Sequence, residues 1–193
     1  ANLVALCFMM PLALGVSTGA LTAQAIGSGD PLRARRTGSA GLMISTTGAL
    51  LTIVVVILAR GPIVQAYTSD AEVGIVALGL LGMLAFFHLF DSLQCMTSYL
   101  LRAYKMAVGP MLIQAGALWG IGLLGGWWLA FGPGAGALGG LVAVLMPGAP
   151  TGAGTMWLMA TFSMAISSLM LQYFYWRVAA RRPAVPAVPQ PQP

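Results

Sequence analysis

The stretch VGIVALGLLGMLAFFHLFDSLQCMTSYLL, residues 73–101, decides the fold. It is apolar almost throughout, yet it holds one carboxylate, Asp91, and the only histidine of the chain, His88. A helix of this length, at ~1.5 Å per residue, exceeds the ~30 Å of a bilayer's hydrocarbon. A helix also closes its own backbone hydrogen bonds, which lipid cannot do for it. The ten-residue alternation of a barrel strand is missing. The segment therefore reads as a membrane-spanning helix that is tilted or protrudes. The rest of the chain agrees with it. Of 193 residues, 59% are hydrophobic and 7% charged, whereas a water-soluble surface needs about 25% charged residues.

Four further apolar runs are long enough to cross, at about 2–26, 41–59, 111–131 and 154–176. The expected fold class is an all-α integral membrane protein with five transmembrane helices over residues 1–177. A proline-rich tail, 178–193, ends in PAVPAVPQPQP, which favours extended, solvated chain. Pro11 is expected to bend the first span, since proline removes a helical hydrogen bond and crowds the preceding turn. The pairs Gly15/Gly19, Gly116/Gly120 and Gly122/Gly126 have the small-xxx-small spacing that lets helices approach. Trp127 and Trp128, and Tyr173, Tyr175 and Trp176, read as aromatic belts at the membrane surface. Cys7 and Cys95 lie in apolar runs and read as small buried hydrophobes, and no zinc-ligand spacing occurs. The chain enters apolar sequence directly at Ala1, without a basic leader or a cleavage pattern. The expectation is a piece of something longer.

Charge sets the orientation. The formal net charge is +5, but the basic residues lie between apolar spans. That is a topology signal rather than a patch for nucleic acid. Arg33, Arg35 and Arg36 follow the first span, Arg102 and Lys105 the third, and Arg177, Arg181 and Arg182 the fifth. Eight of the nine basic residues thus fall on one side of a five-helix chain. The positive-inside rule makes that side cytoplasmic, with the start of the chain outside, the C-terminus inside and the bacterial plasma membrane as the location. Arg60 alone falls on the other side, near Asp70 and Glu72. Asp30 followed by Pro31 suits an N-cap and first helical position. The expectation there is a short interfacial helix carrying the three arginines, as topology anchors or as contacts for anionic head groups.

Asp91 is ~27 Å of helix from residue 73 and ~16 Å from Arg102, so it sits at membrane depth. Inserting a carboxylate there costs about 2.5–3.5 kcal/mol, and such a residue persists where it faces a cavity and has a task. A carboxyl group at that depth can hold a proton, a sodium ion or an organic cation, one at a time. If each guest favours a different conformation, exchange couples their fluxes. His88 at i−3, Gln94 at i+3 and Cys95 at i+4 share its helical face. Thr97 and Ser98 continue the polar stripe. A structural histidine and a purely structural helix–helix hydrogen bond are the plainer readings of His88 and Asp91. Catalysis by Ser92 with His88 fails on geometry, because Ser92 is rotated off that face and no nucleophile or zinc motif accompanies it.

The segments PLALGVSTGALTAQAIGSGDPLRARR (11–36), GPIVQAYTSDAEV (61–73) and FHLFDSLQCMTSYLLRAYKMAVGPM (87–111) together resemble the multidrug and toxic compound extrusion (MATE) transporters, in their NorM-like bacterial branch. The resemblance runs to about residue 177. It implies a twelve-helix, two-lobe transporter, of which this chain supplies about helices eight to twelve, most of one six-helix lobe. The amino-terminal lobe and the seventh helix lie outside it. The family exports lipophilic cationic small molecules in exchange for protons or sodium ions, without a cofactor. Asp91 matches the family's carboxy-lobe acid and is the expected cation or proton site. His88, Gln94 and Tyr99 are its possible neighbours. Phe86, Phe87, Phe90 and Met96 are possible substrate-lining residues, supplying aromatic and adaptable surface. Two departures stand out. Ala103 replaces a glycine of the family's L-R-G-Y-K pattern, which stiffens the helix end, and Met106 stands where an acid is common. The loop 132–153 looks like an insertion.

The expected function is thus the carboxy-terminal part of a cation-coupled antiporter for cationic drugs, and not an enzyme. Two alternatives stay open. An exporter of polysaccharide or lipid-linked precursors needs basic residues within the spans, and here they sit in loops. A non-transporting membrane subunit is the other. Five helices cannot form two rocking lobes, so the chain by itself is not expected to transport.

Overall fold

The computed structural model describes residues 2–181, all of whose regular structure is helical. The long elements are α1 (Asn2–Gly27), α2 (Pro31–Tyr67), α3 (Ala71–Ala103) and α7 (Thr151–Arg181). Between α3 and α7, a fourth crossing is assembled from α4 (Val108–Ala115), a π-helical segment (Gly116–Gly125) and α5 (Gly126–Ala130). A short α6 (Gly139–Leu145) follows in the connection to α7. Five helices are long and apolar enough to cross a membrane. This is the all-α architecture with five spans that the composition and apolar runs led us to expect. The proline-rich segment 183–193 lies outside the described residues.

Local chemistry accounts for the helix ends. Asp30 accepts a hydrogen bond from the backbone N–H of Arg33 at 2.8 Å, with Pro31 at the first helical position of α2. Asp70 accepts from the N–H groups of Glu72 (2.8 Å) and Val73 (3.2 Å) at the start of α3. At the end of α3 the chain reverses through Lys105, whose φ of 59° lies in the left-handed region. Ala103 is the last helical residue and Lys105 makes the turn.

The arginine-bearing segment differs from expectation. Instead of a separate interfacial helix, α2 runs unbroken from Pro31 to Tyr67, so Arg33, Arg35 and Arg36 occupy its first turns. Gly38 and Gly41 do not interrupt it. A Cβ on Gly38 would collide with the Tyr175 hydroxyl, and one on Gly41 with Thr18. These glycines let α7 and α1 approach α2 rather than turning the chain. Tyr175 also departs from the belt reading. Its side chain is fully buried, with its ring edge-on to Tyr104 at 6.1 Å, while Trp127, Trp128 and Tyr173 are exposed as a belt requires.

α3 is the centre of the lobe, in contact with α1, α2 and α7. In lipid the transfer of apolar side chains between helices yields little, so close packing through small residues carries association. Gly15 and Gly19 of α1 lie against Tyr99 of α3. Gly122 and Gly126 receive Ser163, Met156 and Met159 of α7, whereas Gly116 and Gly120 have no such neighbour. One apolar cluster joins α2, α3 and α7 through Leu42, Met96, Leu100, Leu171 and Tyr175. A second joins α3, α6 and α7 through Met83, Val142, Met146 and Leu158. That second cluster gives structure to part of the segment read as an inserted loop.

Candidate functional site

The polar residues of α3 divide by the partner each meets. Ser92 is fully buried and shares a hydrogen bond with Ser45 of α2, 3.1 Å between hydroxyl oxygens. Ser98 donates to the Gln94 carbonyl at 2.8 Å and accepts from the Gln114 side-chain amide of α4, also at 2.8 Å. Thr97 donates to the Leu93 carbonyl at 2.7 Å. These groups are satisfied inside the protein, as buried hydroxyls must be.

One turn apart on α3, three groups are not. The Nε2 of His88 and the Oε1 of Gln94 are buried without a hydrogen-bond partner. Asp91, between them, is half-buried, and among the described residues no side chain forms an ion pair or hydrogen bond with it. His88 borders a crevice of about 10 Å³ with Cys7 of α1 and Thr52 and Val56 of α2. Native proteins leave few buried polar atoms unpaired, and such atoms ask for an explanation. Asp91 is ~18 Å of helix from the end of α3 at Ala103, within the candidate span. Asp91 and the His88 and Gln94 expected beside it on one face make no hydrogen bond to one another.

Tyr99, the remaining expected neighbour, is ~12 Å further along α3. Its ring rests on Gly15, its backbone and Cβ face Gly19, and the Arg102 guanidinium stacks 5.1 Å from the ring centroid. It braces α1 against α3 at a distance from Asp91. The four residues proposed to line a substrate path separate as well. Phe86, 60% exposed, and Phe90 border an apolar cavity of about 710 Å³ with Phe162 and Leu158 of α7. Phe87 points its ring edge at Trp157, 6.2 Å between centroids. Met96 is fully buried in the core and borders no cavity described here. Phe90 and Asp91 are adjacent in sequence and so ~100° apart around the helix. The acid is not among the residues bordering the cavity.

Two contributors escaped the sequence reading. Gln114 was visible as the only amide of the fourth span, but its contact with Ser98 is tertiary. Ser45 lay unremarked among the small residues of α2, and only packing pairs it with Ser92. In α7, Thr155, Ser163 and Ser167 are fully buried and line the helix face toward the bundle.

A lobe of long apolar helices wrapped around one helix, whose candidate span carries an acid with no ion-pair partner among the described residues, has the architecture of the polytopic helical membrane proteins. Comparison narrows this. The MatE family model matches residues 1–128. A probable multidrug resistance protein NorM of Aromatoleum aromaticum is 37% identical over 131 residues, 68% of this chain and 28% of that protein. The multidrug resistance protein NorM of Burkholderia vietnamiensis is 37% identical over 143 residues, 72% of this chain and 31% of that protein. A probable NorM of Neisseria meningitidis serogroup B is 33% identical over 130 residues, 67% and 28% respectively. The chain belongs to the MATE family, with NorM proteins among its relatives. It spans about three-tenths of the length of the curated relatives it matches.

Proposed function

We propose that this chain forms part of the carboxy-terminal lobe of a cation-coupled multidrug antiporter, working with an amino-terminal lobe of the same transporter. Lipophilic cationic compounds leave the cell, and protons or sodium ions enter in exchange. Asp91 is the exchange site. The observation that carries this reading is the Asp91 carboxylate itself, half-buried, well inside α3 and without a cation or donor among the described residues, in a chain whose relatives are named multidrug resistance proteins. A carboxylate held that way binds one positive guest at a time. Competition between ion and drug then needs no second site, provided each favours a different lobe arrangement. His88 and Gln94 supply polar atoms one turn to either side, for a hydrated ion or a protonated carboxyl group. The lobe sits in the bacterial plasma membrane with Arg33, Arg35, Arg36 and Arg102 on the cytoplasmic side.

The test is a chimera in which this chain replaces the matching stretch of the Burkholderia vietnamiensis relative. Ethidium transport into inverted vesicles, the equivalent of efflux from the cell, is measured under an imposed proton or sodium gradient. Asp91→Asn removes the charge while keeping the shape, and gradient-driven efflux should fall at least tenfold with vesicle insertion unchanged. Efflux that keeps its rate and its ion dependence in Asp91→Asn refutes the assignment.

A further inference from the structure

Arg60 lies in α2, ~10 Å of helix before its end at Tyr67 and directly after the apolar run 41–59. Its side chain is exposed, and among the described residues no carboxylate pairs with it. The nearest acid in sequence, Asp70, is engaged with the N–H groups of Glu72 and Val73. A guanidinium keeps its charge at any working pH and offers five donors in a planar fork suited to phosphate. Set back from the helix end, that charge calls for an anion.

The space beside it has a matching form. Arg60 walls a cleft of about 390 Å³ together with Ile75 and Gly79 of α3, Val144 of α6 and Pro147 just after it. Two further residues of this cleft, Gly82 and Leu145, also border the 710 Å³ cavity. The two spaces are therefore neighbours with shared walls. The larger one is lined by hydrocarbon, with Phe86, Phe90, Leu141 and Phe162 around it and Thr161 as the one polar residue. One cationic end followed by an apolar trough fits an amphiphile with an anionic head. A lipophilic cation satisfies the trough but is repelled at Arg60.

We propose that this groove holds one anionic phospholipid, its phosphate on Arg60 and an acyl chain in the trough between α3, α6 and α7. Part of the wall, α6 with Leu141 and Leu145, lies beyond residues 1–128 that match the family model. The site is thus built in part from sequence outside that match. It is separate from Asp91 and does not depend on that residue's role.

Native mass spectrometry of the detergent-purified chain tests it. Phosphatidylglycerol and phosphatidylcholine with identical acyl chains are supplied in equal amounts. The chain should retain phosphatidylglycerol about fivefold over phosphatidylcholine, the factor expected of one basic residue against an anionic lipid. Arg60→Gln should abolish that preference, and Arg60→Lys should keep part of it. Ala165→Trp, which fills the trough floor, should reduce retention of both lipids. Ala165→Met serves where the larger side chain prevents folding, as judged by circular dichroism. Equal preference in Arg60→Gln and the unaltered chain overturns the proposal. So does undiminished retention with the trough filled, which would make this a head-group contact alone. Dimers that dissociate in Arg60→Gln without any change in bound lipid would make a second copy of the chain the occupant, and would overturn it equally.

Discussion

Gly15 and Gly19 occupy one stripe of α1 and both meet Tyr99, but they meet different parts of it. A Cβ added at Gly15 would stand 2.8 Å from Cδ2 of the Tyr99 ring. Added at Gly19, it would stand 3.2 Å from the Tyr99 carbonyl oxygen and 3.3 Å from its Cβ. Carbon atoms rest about 3.5–4.0 Å apart, so the first contact overlaps by roughly 1 Å and the second by a few tenths. Overpacking of this kind costs about 1–3 kcal/mol, against a helix-propensity gain of at most about 1 kcal/mol for alanine over glycine. Gly15→Ala is therefore expected to destabilise the lobe by about 1–2 kcal/mol, net of that gain. Gly19→Ala is expected to come out between neutral and about 1 kcal/mol destabilising. The two penalties differ in their remedy. Tyr99→Ala removes the ring, and with it the obstacle to Gly15→Ala, but leaves the carbonyl and Cβ that obstruct Gly19→Ala. A double-mutant cycle should then give a coupling of about 1–2 kcal/mol between residues 15 and 99, and a coupling within about 0.5 kcal/mol of zero between 19 and 99. The assay is reversible unfolding in mixed detergent micelles, followed by far-ultraviolet circular dichroism. Equal costs at the two glycines, or a Gly15→Ala cost untouched by Tyr99→Ala, would refute the claim that Tyr99 sets the α1–α3 distance.

Two further outcomes follow from single contacts. Asp30→Ala deletes the cap on the Arg33 N–H and should cost about 0.5–2 kcal/mol in the same unfolding assay, while Asp30→Asn, which caps as well, should cost little. Ser45→Ala or Ser92→Ala alone strands one fully buried hydroxyl and should cost about 1–3 kcal/mol, whereas the double substitution should cost less than the two singles added together.

Much of the lobe was legible because lipid imposes two demands that a sequence cannot conceal. Spans must be long and apolar, and their backbone must be helical. Residues 73–101 met both demands, and α3 runs from Ala71 to Ala103. What could not be read was how the spans meet. The glycines at 38 and 41 resemble breakers on paper. They are helix contacts because Tyr175 and Thr18 press on them, and those residues are remote in sequence. Tyr175 suited a belt by its place beside Tyr173 and Trp176, but one residue along a helix is a ~100° rotation, which carries it from the lipid face into the core.

The site shows the same division. Its residue types followed from chemistry, since a carboxylate, an imidazole and an amide one turn apart in an oily helix are costly to place without reason. Their partners did not follow. Ser92 and Ser98 find theirs on α2 and α4, and His88 turns toward the crevice between α1 and α2. Tyr99 is held by α1 and Phe87 meets α7, so the residues flanking Asp91 are committed to neighbours on either side. The acid lies between those two commitments with its charge unmatched by any described residue. A rigid lobe gains nothing from such a charge, because a glutamine or a leucine there would insert into lipid at lower cost. In the antiporter we propose, something outside these helices supplies the positive partner and later withdraws it. Braced flanks and an unbraced acid suit the exchange we propose, for the side chains around a guest would then stay in place while the guest changes.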